Sequence, residues 1–106
     1  MTFTLQDLEK RVRERATAGA DVSYTRKLLD KGVPHCAKKL AEEAVETVIA
    51  AVNEDDKHLT AEAADLLYHL LVVLHARGIS LAEVEAVLAE RTRQSGFEEK
   101  ASRPRG

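Results

Sequence analysis

The stretch Glu62-Ala63-Ala64-Asp65-Leu66-Leu67-Tyr68-His69-Leu70-Leu71-Val72-Val73-Leu74 decides how this chain folds. At about 100° per residue its leucines and valines spread nearly all round a helix, and a helix apolar on all sides is buried. One narrow polar stripe interrupts it, made of Glu62, Asp65 and His69 at positions i, i+3 and i+7. Such spacings share a helix face. The two acids are therefore expected to look into a protein-walled cleft rather than open water.

The flanking punctuation sets the other elements. Thr60 is expected to cap this helix, Arg77 to end it and Gly78 to fill its C′ position. Upstream, Pro34 opens a helix that runs to about Val52, and Asn53 to Lys57 form a charged connection. Thr4 caps a first helix carrying Leu5, Leu8 and Val12, closed by Gly19-Ala20-Asp21. Ser23 opens a short helix, Tyr24 to Lys31, stopped by Gly32. Downstream, Ser80 and Glu83 form a capping box for a last helix with Leu81, Val84, Val87 and Leu88, stopping near Gly96. No strand pattern or internal repeat stands out. The reading is all-α: four main helices and one short one, with residues 1–96 as a single domain and 97–106 as an irregular basic tail carrying Lys100, Arg103 and Arg105. Four short helices cannot easily surround a core helix apolar on every side. A helical bundle completed by homodimerisation is therefore expected.

Composition narrows the class. With 106 residues, 44% apolar and 32% charged, the chain suits one globular domain and neither disorder nor a membrane protein. A formal charge of −2 argues against an electrostatic nucleic-acid binder. No secretory n-region and no apolar run of transmembrane length are read, so a cytoplasmic protein without a membrane partner is expected. Cys36 is the single cysteine, which allows no internal disulfide and no zinc pattern. It reads as a small residue packed near a helix start.

A second acidic cluster, Glu42-Glu43-x-x-Glu46, lies on the Pro34–Val52 helix. There Ala37, Leu40, Ala41, Ala44, Val45, Val48, Ile49 and Val52 gather on one broad face. Lys39, Glu42, Glu43 and Glu46 gather opposite. Alone, this is what an amphipathic helix with a solvated face looks like. Magnitudes favour a further role. Two like charges about 5 Å apart repel by roughly 3 kcal/mol at an effective dielectric near 20, whereas an exposed ion pair on a helix returns only about 0.3–0.5 kcal/mol. Five facing carboxylates need lysines, protons or a divalent cation, and Lys38 and Lys39 can neutralise only part of the set.

An all-oxygen ligand set suits a hard cation, magnesium (Mg2+) first and manganese (Mn2+) second. One histidine and no cysteine on the stripe speak against zinc, and Glu-x-x-Asp in place of Glu-x-x-His speaks against a di-iron bundle. A magnesium site of this kind keeps waters and takes phosphate oxygens as further ligands. Lys38 and Lys39, with Arg26, Lys27 and Lys31 just upstream, then read either as polyphosphate ligands or as plain surface groups. His69 reads as a satisfied buried histidine, or as a group that orients a carboxylate or touches substrate. Tyr68 reads as core or interface before stacking platform.

Glu42-Glu43-x-x-Glu46 followed, after fifteen intervening residues, by Glu62-x-x-Asp65 resembles the signature of the MazG-like all-α nucleotide pyrophosphohydrolases. Within that group, Ser23-Tyr24-Thr25-x-Lys27-Leu28, then Lys38-Lys39, then Ala64-Asp65-Leu66-Leu67-Tyr68-His69 resemble the phosphoribosyl-ATP pyrophosphatases of histidine biosynthesis. The closing Glu98-Glu99-Lys100-Ala101-Ser102-Arg103 is similar to the tail of many such enzymes, and the likeness spans residues 3 to 104. The resemblance implies hydrolysis of 1-(5-phosphoribosyl)-ATP at its α-β phosphoanhydride, giving 1-(5-phosphoribosyl)-AMP and pyrophosphate. It also implies Mg2+, a cytoplasmic location and a helical homodimer. By the family pattern Glu43, Glu46, Glu62 and Asp65 are metal ligands, and Tyr24, Lys27, Lys38 and Lys39 face substrate. Glu42 is a further ligand or the acceptor that activates water; with Glu46 it makes the catalytic pair. The zinc-binding cysteines of the cyclohydrolase to which such enzymes are often fused are absent from this chain. Two rival readings remain: a house-cleaning nucleoside triphosphate pyrophosphohydrolase, and a non-enzymatic helical dimerisation module. By resemblance, the Ser23–Lys27 segment and the tail speak against the first, and the buried character of the third helix speaks against the second.

Overall fold

The computed structural model describes residues 2–93, 100–101 and 103–104. Five helices form, α1 Leu5–Ala16, α2 Tyr24–Asp30, α3 Val33–Asn53, α4 Asp56–Ala76 and α5 Leu81–Thr92, with no strand among the described residues. The all-α class and the pattern of four main helices with a short one are as the sequence led us to expect. The 96/97 boundary, the Gly96 stop and most of the basic tail lie outside the described residues.

Local chemistry explains the helix ends, including two that differ from expectation. Thr4 caps α1 through a capping box with Asp7. The helix then ends at Ala16 rather than at Gly19, with Thr17 as its C-cap, whose N–H and hydroxyl both donate back to Glu14 O, the hydroxyl at 2.9 Å. Ser23 caps α2, its Oγ accepting from Arg26 N–H and donating to Arg15 O at 2.9 Å. Thr60 does not cap α4. Asp55 does, accepting from the His58 N–H at 2.9 Å, while the Thr60 hydroxyl donates back to Asp56 O inside the helix. A carboxylate is an effective N-cap, and here it acts one turn earlier. Glu54 and Asp55 alone therefore join α3 to α4, and the two make a long antiparallel hairpin.

Two glycines are required by backbone geometry. Gly32 enters α3 at φ 93°, and Gly78 leaves α4 at φ 71°, a left-handed region costly for other residues. At Gly78, bonds from Ile79 N–H to Leu74 O and from Gly78 N–H to His75 O form a Schellman motif.

Val12, Leu28, Cys36, Leu71, Val72 and Leu81 form the core, with Leu8, Leu29, Tyr68, Val73 and Leu74 packed against it. Cys36 is structural, as expected: its Sγ donates to Leu28 O at 3.2 Å, and burial pushes its pKa up. Helix α5 is docked through its N-terminal residues. Leu81 is buried, its N–H donates to Glu9 Oε2 at 2.6 Å, and Gln6 Nε2 donates to Glu85 Oε2.

The apolar faces differ from expectation in an informative way. On α3 the stripe turned inward is Cys36, Leu40, Glu43, Thr47 and Ala50, of which Cys36 and Ala50 are buried and the rest half-buried. Val45, Val48, Ile49 and Val52, expected to be core, are exposed, Val48 at 63% and Val52 at 75%. Helix α4 is not covered all round either, since Leu67 and Leu70 are exposed, as are Val87 and Leu88 on α5. The radius of gyration is 16.0 Å, against about 13 Å for a compact domain of this length. A single copy leaves its apolar helices unpartnered. By length and composition α4 could cross a membrane, yet it carries Glu62 and Asp65 and packs on α1, α2 and α3. It reads as the central helix of a bundle.

Ser23 serves two helices at once and is buried. Ser23→Ala is expected to cost about 1–2 kcal/mol in urea unfolding, the upper part of the range for a lost cap, with an unchanged m-value.

Candidate active site

The α3–α4 hairpin sets the register of the site. Thr47 Oγ1 lies 2.8 Å from Glu43 O and 3.3 Å from Glu62 O, so one hydroxyl bridges the two helices. In an antiparallel pair, residue 47 level with 62 puts residue 43 level with 66. Glu43 thus falls between the levels of Glu62, Asp65 and His69. Single carboxylate oxygens of Glu43, Glu62 and Asp65 all lie within 4.8 Å of one another; Glu43 and Glu62 are half-buried, whereas Asp65, expected in a walled cleft, is exposed. Glu43, expected on the solvated side of its helix, sits on the packing seam instead.

The electrostatics match this crowding. Glu43 Oε2 and Glu62 Oε2 are buried with no hydrogen-bond partner among the described residues. Burial, then the charge of Glu46 and a hydrogen bond with it, then the charge of Asp65, push the Glu43 pKa above its ordinary 4.5. Hydrogen bonding with the Glu46 carboxyl, then burial, then the charges of Glu46, Glu43 and Asp65 do the same to Glu62. Glu46 therefore joins the trio electrostatically. A proton or a cation relieves such a set. Orphaned buried carboxylate oxygens on two facing helices fit a hard, oxygen-seeking dication.

Glu42 stands apart: it is exposed and paired with Lys39 at 3.3 Å. That contact comes first among the causes that raise the Lys39 pKa, followed by the charges of Glu42, Tyr24 and Glu43. Lys39 therefore lies at the edge of the cluster, with Tyr24 close by. Lys27, Lys31 and Lys38 are exposed and make no ion pair among the described residues. Arg26 is not available as a phosphate ligand, because its guanidinium is spent on Asp30 Oδ1 at 2.9 Å and Ala18 O at 3.0 Å.

His69 is buried, but it is not the satisfied histidine of the plainer reading. Its Nδ1 donates to Asp65 O at 2.9 Å, while Nε2 is buried without a partner among the described residues. Tyr24 and Tyr68 meet its ring edge-on at 6.4 Å and 5.0 Å. Tyr68 is half-buried against the core, as expected, and its hydroxyl lies 2.6 Å from Thr25 Oγ1. Thr25 entered the sequence reading only within the Ser23–Leu28 resemblance, with no role of its own, and Thr47 not at all. Their partners lie 43 and 15 residues away, and no local spacing marks a threonine for a contact of that kind.

Fold and site together define a class, an all-α protein with an interhelical carboxylate site suited to a cation. The sequence profile described as phosphoribosyl-ATP pyrophosphohydrolase matches residues 5–92, and the chain belongs to that family. It is 67% identical over 101 residues to "Phosphoribosyl-ATP pyrophosphatase 1" of Bradyrhizobium diazoefficiens, covering 95% of each chain. It is 64% identical over 102 residues to the phosphoribosyl-ATP pyrophosphatase of Azorhizobium caulinodans, covering 96% of this chain and 94% of the relative. The phosphoribosyl-ATP pyrophosphatase of Nitrobacter winogradskyi is 62% identical over 103 residues.

Proposed function

We propose that this chain hydrolyses 1-(5-phosphoribosyl)-ATP at the α-β phosphoanhydride, releasing pyrophosphate and 1-(5-phosphoribosyl)-AMP for histidine biosynthesis in the cytoplasm. Relatives named for this activity, matched over nearly the whole chain, support the substrate. The observation that carries the reaction class is the Glu43, Glu62 and Asp65 cluster with its orphaned buried oxygens. These three and Glu46 would hold Mg2+, with Mn2+ as a second choice. A bound ion of this kind polarises a phosphoryl oxygen and lowers the pKa of coordinated water.

The chain's own residues divide the remaining work. Glu46, whose carboxylate acts on both Glu43 and Glu62, takes the role of proton acceptor for water. Glu42, held by Lys39, serves as the second candidate once phosphate draws the lysine away. Lys39, on which the charge of Glu43 acts, meets the phosphates first, and Lys38, Lys27 and Tyr24 supply further phosphate and sugar contacts at the open side. The uncovered apolar strips of α3, α4 and α5 support a homodimer.

The test compares pyrophosphate release from phosphoribosyl-ATP and from common deoxynucleoside triphosphates, each with Mg2+ and with chelator. Mg2+-dependent turnover of phosphoribosyl-ATP is expected. Turnover of the deoxynucleotides with none of phosphoribosyl-ATP would instead identify a house-cleaning enzyme, and no turnover of either would favour a non-enzymatic module.

A further inference from the structure

The substrate of the proposed reaction carries anions at both ends. A triphosphate sits on the ribose of its adenosine, and a monophosphate sits on the second ribose, joined across the base. The carboxylate cluster and Lys39 account for the first. The second needs a cation on the far side of a nucleobase, in a space that takes a sugar.

Such a space adjoins the site. A half-open cavity of about 460 Å³ is lined by Arg15, Ala18, Val22, Tyr24, Thr25 and Tyr68, with Ser23 at its base. Two of its lining residues, Tyr24 and Tyr68, meet the ring of His69 edge-on, and His69 is bonded to the backbone carbonyl of Asp65 on the helix that carries the acids. Its polar inventory suits a phosphorylated sugar. Thr25 and Tyr68 share one hydrogen bond, in which either hydroxyl donates. Whichever accepts keeps a proton to give elsewhere.

Arg15 supplies the charge. Its side chain is exposed and makes no ion pair among the described residues, whereas Arg13, Arg26 and Arg93 are paired with Glu9, Asp30 and Glu90. Arg15 itself lines the cavity, together with Tyr68. Ser23 binds the Arg15 carbonyl, not its side chain, and fixes the backbone there.

Resting on the proposed function, we propose that this cavity seats the second phosphoribosyl group of the substrate, with Arg15 holding its 5-phosphate. An arginine suits this role because its planar fork meets two phosphate oxygens at once. Arg15 is then a specificity-determining residue, distinguishing this substrate from ordinary nucleoside triphosphates.

Steady-state kinetics of Arg15→Gln and Arg15→Lys test the assignment. For Arg15→Gln the KM for phosphoribosyl-ATP is expected to rise about 10–100-fold, the worth of one charge-assisted contact, with kcat within about threefold of the parent. Arg15→Lys recovers part of the loss. Ribose 5-phosphate, used as the probe, is expected to inhibit the parent competitively and to lose at least about tenfold in affinity with Arg15→Gln. Thermal unfolding of both variants stays at the parent value, because the side chain is exposed. An unmoved KM, or equal inhibition of parent and variant by ribose 5-phosphate, overturns the proposal. So does a KM that rises equally for phosphoribosyl-ATP and for any ATP turned over, since that marks general anion attraction. A parent chain that releases no pyrophosphate from phosphoribosyl-ATP sinks the functional reading, and this inference with it. Activity in the parent with an unmoved Arg15→Gln sinks the inference alone.

Discussion

Glu43→Gln is expected to lose at least about 100-fold in pyrophosphate release while making the metal-free protein more stable at neutral pH. The two effects share one cause. Glutamine keeps the shape of the side chain and removes its charge, so the cluster loses a cation ligand and also a source of repulsion. Loss of a group that only supports a metal ligand already costs about 10–100-fold, and loss of a ligand itself should cost no less. Asp65→Ala is expected to lose activity to the same degree.

The pH dependence gives the sign a second check. Glu43 and Glu62 have folded pKa values raised above the ordinary 4.5. Between 4.5 and the raised values the folded chain holds more protons than the unfolded chain, so stability falls as pH climbs through that window. The penalty is fully present above it. Asp7, Asp55 and Glu83 act the other way, because cap hydrogen bonds hold their pKa values down. Their contribution is present above their ordinary values and is lost as pH falls through the depressed ones. The metal-free protein should therefore be most stable at mildly acidic pH. Added Mg2+ should raise the melting temperature more at pH 8 than at pH 5, because protons compete for the same oxygens. Glu43→Gln should blunt that response. Retained activity in this variant, or an Mg2+ shift equal to the parent's at both pH values, would sink the assignment of Glu43.

The contrast between Glu43 and Val48 shows what was legible in the sequence. Periodicity correctly placed five helices, and capping chemistry correctly marked Thr4, Ser23, Ser80 and Gly78. Periodicity also placed Glu43 on a solvated face and Val48 in the core, and the chain reverses both. A hydrophobic face read from one helix assumes that the core lies within the same chain. The α3 stripe facing α4 is instead a mixed one, because that seam houses carboxylates. Spacing alone marked Glu62 and Asp65 as one stripe and the two acidic clusters as a cation site, whereas the choice of Glu43 over Glu42 as their partner came from the resemblance to a known pattern. Their geometry depends on the Asp55 cap, which shortens the hairpin connection, and on the Thr47 bridge, which sets its register. Arg15 and Thr25 carried no spacing signal, because the cavity they line forms from α1, α2 and α4 together.

Val48→Asp is expected to convert a dimer into a monomer. Light scattering of the parent should give twice 11.7 kDa, and the variant a single copy at the same concentration. Val45, Val48, Ile49 and Val52 form an exposed apolar strip along α3, of a kind that monomeric soluble proteins seldom leave open. A two-fold contact brings the same strip from each copy together, so one substitution introduces two like charges into one desolvated patch. Like-charge juxtaposition across an interface costs several kcal/mol, which weakens the dimer by at least about 100-fold. Val48→Ala removes area without adding charge and should keep the dimer at similar concentrations. The intrinsic helix cost of aspartate at one position is only about 0.7 kcal/mol, so a loss of dimer with helicity retained in circular dichroism points to the interface. Activity should fall together with the dimer, because α3 carries Glu43 and Glu46 on its other sides and the exposed strip leaves that helix half supported. A parent that scatters as 11.7 kDa alone, or a Val48→Asp variant that stays dimeric, would remove the α3 strip from the interface.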